Sequence, residues 1–251
     1  MLSAHLFFNG TAYGPDGDRV LREVVEPFVA RCRVERWIER HFFTRSDEST
    51  GGCVRAHFAG EAAVLEESVW PWLVEHARGS GVMHVERGVY APRAGVGRGE
   101  AARDTAERLF EASSDAAYAL LRSIGPERSS RIGKAVPPAV ILIHSFAPAR
   151  AQGGAFAEAV ARSLPMAGDE EVSDTLMAYV DEVWSRSDAG ESLSDTLDAY
   201  AAALRAAQLM EGEPEHDLHV HFHLMNDRLG LTPAEERIVM EAIARGLAAD
   251  R

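Results

Sequence analysis

The sequence predicts an α+β protein, with an antiparallel sheet from the N-terminal third packed with a largely helical C-terminal part. Three observations carry this. Residues 2–90 alternate short strand-like runs, bounded by turn residues, with helical patterns. From residue 100 onward the segments are alanine-rich and apolar at helical spacing. The chain has 251 residues, 46% hydrophobic and 26% charged, enough for a full core. That fits a single domain over 1–251, with a mixed sheet and helix part at 1–99 and a mainly helical part at 100–251.

Leu2–Phe8 reads as a buried strand, closed by Asn9-Gly10 and the Gly14–Gly17 loop. Val20, Leu21, Val24, Val25, Phe28 and Val29 recur at helical spacing, with Asp18 as the cap and a kink or break at Pro27. Trp37–Arg45 and Cys53–Phe58 form a hairpin across the polar loop Ser46–Gly52. Glu61–His76 is a helix, and Val82–Tyr90 a further sheet segment. After the Gly-, Pro- and Arg-rich loop Ala91–Gly99, helical patterns cover Ala101–Ser123, Pro137–Phe146, Gly154–Leu164, Glu170–Ser187 and Ser192–Met210. Gly168–Glu171 and Ser187–Glu191 are surface turns. The stretch from Asp217 reads as a helix stopped by Arg228-Leu229-Gly230. Thr232-Pro233-Ala234-Glu235 then starts another, with a Thr cap, Pro in the first turn and Glu at the capping-box position.

The net charge of −13 argues against general affinity for phosphate backbones or anionic membrane. Cys32 and Cys53 are too few for a disulfide framework or a zinc knuckle, so a reducing cytoplasm is expected. The N-terminus opens on a strand without a signal core. The longest apolar stretch, Ala135–Phe146, falls short of the roughly 20 residues a bilayer needs.

Three features invite chemistry. His219, His221 and His223 stand at alternate positions. On a strand they would share one face and could seat a metal; on a helix only His219 and His223 align. The helix terminator favours the helix, and no HExxH, cysteine pair or carboxylate at ligand spacing supports a metal. An acid/base role for one histidine is then the functional reading, beside a purely structural one. Second, Arg55 and His57 share a strand face near Arg45, where a guanidinium could bind a carboxylate or steady an oxyanion; the bland alternative is a solvated sheet face. Third, Arg93 and Arg98 lie in the glycine-containing loop beside Tyr90, with no phosphate-binding fingerprint around them. Ser113-Ser114-Asp115 sits in a helical run without a GxSxG elbow, which argues against a serine nucleophile.

Several stretches, in order, resemble the lantibiotic dehydratase C-terminal family. Phe42-Phe43-Thr44-Arg45 followed by Gly51-Gly52-Cys53-Val54-Arg55-Ala56-His57-Phe58 resembles its "FFIRY…GGpHLRLRF" hairpin. Leu21–Phe28 is similar to its first helix, and Tyr90-Ala91-Pro92-Arg93 with Gly99 to its "YEPE..RYGG" loop. Ala106–Asp115 resembles the helix that follows, and His223–Leu231 the "HM.xNRLGL" signature. The resemblance implies a cofactor-free enzyme acting on a ribosomal precursor peptide, a leader joined to a dehydrated, azole-containing core. Other biosynthetic enzymes are possible partners; nucleic acid and membrane are not expected.

Two branches follow from the resemblance. One eliminates glutamate from glutamylated Ser or Thr to leave dehydroamino acids. The other, in thiopeptide pathways, joins two dehydroalanines by a formal [4+2] aza-cycloaddition, then loses water and leader to give a pyridine. A glutamylating domain has no room in 251 residues, so a stand-alone enzyme is expected. The second arginine of the strand motif is His57 here, its leading His is Cys53, and the arginine before "YGG" falls on Val96. An eliminase must hold a glutamyl carboxylate, which paired arginines suit; cycloaddition asks mainly for proximity and modest proton transfer. The departures therefore favour the cyclase. In that reading His223 transfers the proton, Tyr90 and His57 polarise the iminol and leaving hydroxyl, and Arg55 binds a peptide amide or oxyanion. Arg93 and Arg98 contact an acidic leader, with Arg45 and Arg228 as further binding residues. A non-catalytic peptide-binding partner is the alternative from another class.

Overall fold

A computed structural model describes residues 1–90, 100–125, 127–166, 172–208 and 214–248. They form two compact units, Met1–Arg122 and Ser123–Arg251.

The first unit is built on four antiparallel strands: β1 (Leu2–Phe8), β2 (Arg40–Glu48), β3 (Gly51–Ala59) and β4 (Val82–Gly88), in the order β2-β3-β1-β4. With helices between β1 and β2 and between β3 and β4, this is the split βαβ arrangement of ferredoxin-like folds. Pleating sorts the side chains. Leu6, Phe8, Phe43, Val54 and Phe58 are buried on one face, where Phe28 packs its ring 5.6 Å from that of Phe58. By register, Ser3, His5, Phe7, Phe42, Thr44, Arg55, His57, His84 and Glu86 share the other face.

Each crossover is interrupted in the same way. Helices α1 (Pro15–Val20) and α2 (Glu26–Val34) are joined by a π-helical turn at Leu21–Val25. Helices α3 (Ala62–Val64) and α4 (Trp70–Ala77) are joined by another at Leu65–Val69. Both turns run directly into a proline, Pro27 or Pro71. A proline ring clashes with the carbonyl four residues back, and widening the preceding turn relieves that clash without ending the helix. The break expected at Pro27 takes this form.

Two expectations here are corrected. Asp18 does not cap its helix: Gly14 is the N-cap, and the Asp18 carboxylate is buried against Arg45, 2.8 Å away. The hairpin loop is Ser49-Thr50 rather than Ser46–Gly52, with Gly51 at φ 131° starting β3. The polar residues that read as loop are held in the strand by partners. Asp47 accepts from the Ala12 amide at 2.6 Å and the Thr11 hydroxyl at 2.8 Å, and Glu48 accepts from Ser46 at 3.0 Å. Cys32 and Cys53 are buried in this unit, and burial pushes their thiols up to about 12 and about 11.

Helix α5 (Glu100–Leu121) completes the unit by covering the β2 edge. The Phe43 amide donates to Ser114 Oγ at 3.3 Å, and His41 Nε2 lies 3.0 Å from the Tyr118 hydroxyl. The change of composition at residue 100 thus precedes the boundary between units by one helix.

The second unit contains α6 (Arg128–Phe146), α7 (Arg150–Ser163), α8 (Asp174–Asp188), α9 (Asp195–Gln208), α10 (Pro214–Leu229) and α11 (Pro233–Ala248). The helical remainder predicted from composition is borne out. Helix α6 begins nine residues before the expected Pro137 and carries Pro137 and Pro138 inside it. Two interior prolines cost about 3 kcal/mol each; the unbroken buried run Ala135–Ile143 offsets them. The Ser187–Glu191 turn is present, with Gly190 at φ 70°; Gly168–Glu171 lies outside the described residues. No single helix among the described residues is long and apolar enough to cross a membrane.

The α10–α11 connection follows the sequence signals closely. The Gly230 amide bonds the Asp227 carbonyl at 2.9 Å and the Leu231 amide the Asn226 carbonyl at 3.0 Å, a Schellman stop with Gly230 at φ 74°. Thr232 N and Oγ1 donate to Glu235 Oε2 at 2.7 and 2.9 Å, and the Glu235 amide returns to Thr232 Oγ1 at 3.4 Å. This is the expected capping box.

Candidate functional site

In the first unit the polar sheet face gathers three of the expected residues. His57 is 7% exposed, and its Nδ1 lies 3.0 Å from the Ser3 hydroxyl. Its ring packs between Phe42, at 4.8 Å, and Tyr90, at 5.1 Å. Burial, then the nearby Glu107 carboxylate, pushes the Tyr90 phenol up to about 12, so it stays protonated and can donate. Arg55 stands two positions from His57 on the same face. Its guanidinium bonds Glu48 at 2.5 Å, and that bond holds the Glu48 carboxyl below its ordinary value. His5 lies opposite Arg55 in the register; burial, then the Arg55 charge, lowers its affinity for a proton.

Arg45 has a different setting from its expected one on a substrate. Its side chain is fully buried, paired with Asp18, and donates to the Ala12 carbonyl at 2.8 Å. It ties the β1–α1 loop to the sheet. The space beside it also requires a glycine, since a β-carbon at Gly17 would stand 2.9 Å from Nη1 of Arg45 and 2.2 Å from the Ala12 oxygen. Arg93 and Arg98 lie outside the described residues.

In the second unit the three histidines lie on helix α10, so His219 and His223 share a face and His221 leaves it. Among the described residues no group of three or more His, Cys, Asp or Glu could hold a metal ion. His221 is pulled down to about 4 by burial, then by the Arg228 charge, and is neutral at working pH. Arg228 is 1% exposed and forms part of the interior.

His223 is different. Its side chain is 38% exposed, and its Nδ1 lies 2.9 and 3.0 Å from the two oxygens of Glu236, whose side chain is 1% exposed. Burial raises the Glu236 carboxyl, an effect opposed by the His223 contact. A carboxylate on Nδ1 fixes the tautomer and the ring orientation. Sequence reading missed Glu236, although the signal was present. His223 lies six positions before Leu229 and Glu236 six positions after Gly230, so a tight helical hairpin at that joint brings the two side by side. Ser3 and Phe42 were missed as neighbours of His57 because only the strand order makes them so.

A tRNA-dependent lantibiotic dehydratase, MibB, from Microbispora sp. 107891 superposes with a TM-score of 0.71 at 21% identity, over 98% of this chain and 28% of that one. The pyridine synthase TbtD from thiomuracin biosynthesis gives 0.73 at 15% identity, over 98% and 97%. TsrL gives 0.64 at 13%, over 97% and 93%. The chain thus spans little more than a quarter of the dehydratase, and at these identities the likeness is one of fold. No curated protein matches the chain. The sequence itself is matched over residues 2–247 by the family described as lantibiotic biosynthesis dehydratase C-term. With nearly every residue covered by that match, the chain belongs to the lantibiotic biosynthesis dehydratase C-terminal family.

Proposed function

We propose that the protein is a peptide-modifying enzyme that forms the six-membered nitrogen heterocycle of a thiopeptide. It would join two dehydroalanines of a ribosomal peptide by a formal [4+2] aza-cycloaddition, followed by loss of water and leader. The observation that carries this reading is the state of the sheet face. Where a glutamate-eliminating site would use a second arginine, His57 sits among Phe42, Tyr90 and Ser3. The remaining Arg55 is already matched by Glu48. Such a face has little cationic character left for a glutamyl carboxylate, but it suits stacking and polarising a neutral amide. The likeness of fold to a pyridine synthase is in keeping with this.

Each residue has a task in that chemistry. The protonated Tyr90 phenol and His57 donate to the iminol oxygen and later to the departing hydroxyl. Arg55 binds a peptide carbonyl or the developing oxyanion. His223, oriented by Glu236, moves the proton in tautomerisation and dehydration. Arg93 and Arg98 are assigned to an acidic leader segment, and Arg228 and Arg45 to the frame that holds these elements. No cofactor is required, and the partner is the precursor peptide.

Glutamate elimination is the second reading, favoured by the higher identity to the dehydratase than to the pyridine synthase, 21% against 15%. Here Arg55 and His223 would hold the leaving carboxylate and move the proton. Incubation with an azole- and dehydroalanine-containing peptide, and separately with a glutamylated peptide, decides by mass. Loss of water plus leader from the first supports the cyclase, whereas loss of glutamate from the second replaces it. Binding without any mass change would make the protein a peptide-holding partner.

A further inference from the structure

Among the described residues the four-stranded sheet has one open edge. Strand β2 at one end is covered by α5, through the Ser114 hydroxyl on the Phe43 amide. Strand β4 at the other end has no strand or helix bonded along its outer side. It contains no proline or lysine, and its register on β1 is regular from His84 to Gly88, with one shift at Met83, where Phe7 meets His84 and Phe8 meets Val82. Its side chains are displayed: Met83 is 44% exposed, and the His84 and Glu86 side chains are 45% and 61% exposed. An unpaired edge of this kind is a template for another strand.

We propose that this edge pairs with β4 of a second copy of the chain, antiparallel about a two-fold axis at Val85. The occupant is argued from charge. A two-fold normal to the sheet keeps each side chain on its own face, so only residue-centred registers are allowed. Centring on Glu86 sets Glu86 against Glu86, and centring on His84 sets His84 against itself; both oppose like groups. Centring on Val85 sets His84 opposite Glu86 twice and Met83 opposite Arg87 twice. The pairing runs from Met83 to Arg87 and stops at the register shift beside Val82. The side chains are already disposed for this. His84 stacks on Phe7 at 4.6 Å with Nε2 3.2 Å from Glu86. Arg87 lies over Trp70, 4.5 Å from its ring centroid, and bonds Glu66, presenting its aliphatic stem to the partner's Met83. The two four-stranded sheets become one continuous sheet of eight strands.

The test is sedimentation equilibrium of the full chain over a range of concentrations, with variants that address the register. Wild type should associate reversibly to a dimer. His84→Glu, which sets a carboxylate against Glu86 twice, and Glu86→Lys, which removes the acceptor opposite His84 twice, should each weaken association about tenfold or more. The double variant His84→Glu/Glu86→Lys restores opposite charges in the same register and should recover association. Far-UV circular dichroism and melting temperature, unchanged across the set, separate this from misfolding. Val85→Cys should give a disulfide-linked dimer on mild oxidation, while Met83→Cys should not. A protein that stays monomeric, or a dimer insensitive to the charge swap, overturns the proposal. So does a monomer whose β4 amides are protected from exchange only when an extended substrate peptide is added.

Discussion

His223 and Glu236 are the pair on which activity should turn. His223→Ala should lower turnover about 10²-fold or more if this imidazole moves the proton. Glu236→Gln keeps an acceptor for Nδ1 but removes the negative charge, so the imidazole loses proton affinity. Turnover should fall about tenfold, and the limb of the pH–rate profile that depends on His223 should move to lower pH; an unmoved limb would leave Glu236 a purely structural role. His221, on the same helix, governs stability instead. The unfolded imidazole, with an ordinary value of 6.5, accepts a proton that the folded one resists down to about 4. In that window the unfolded state binds more protons, so stability is full above pH 6.5 and falls as pH is lowered toward 4. His221→Gln should flatten the decline in melting temperature over that range. The buried Arg45–Asp18 pair gives a third test: Arg45→Met strands a buried carboxylate and should cost about 3–5 kcal/mol in denaturant melts. Adding Asp18→Asn should recover part of that loss.

At the scale of elements, the Thr232–Glu235 box both starts α11 and positions Glu236 one residue on. Thr232→Ala should cost about 1 kcal/mol of stability by thermal melt, with a smaller effect on turnover than Glu236→Gln. The starts and stops written in side-chain chemistry were readable from sequence: the Gly230 stop, the capping box, and strand β1, whose apolar run is bounded by Asn9-Gly10. What failed had a tertiary cause. Asp47 and Glu48 read as loop because their polarity is local, while the Ala12 amide and the Arg55 guanidinium that keep them in a strand come from elsewhere in the chain. Pro137 and Pro138 read as a boundary because propensity argues against them, and burial on all sides of α6 outweighs propensity. The paired π-helical turns have no compositional mark beyond the proline that follows each.

At the scale of the whole molecule, the family was legible because its motifs are spread along the chain, whereas the branch was read only from a few departures from those motifs. The proposed branch rests on contacts of the sheet face, and those are decided by strand order: Ser3 meets His57 across 54 residues of sequence. The two cysteines turn this architecture into an experimental handle. Both are in the first unit, both are buried, and burial keeps both as thiols rather than thiolates at ordinary pH. A maleimide should therefore leave the native protein unlabelled and react only when the first unit opens. Labelling rate against denaturant, set beside helical content by circular dichroism, would time the opening of the sheet unit against that of the all-helical one. The chain thus carries, without any engineering, a clock for one half of its own unfolding.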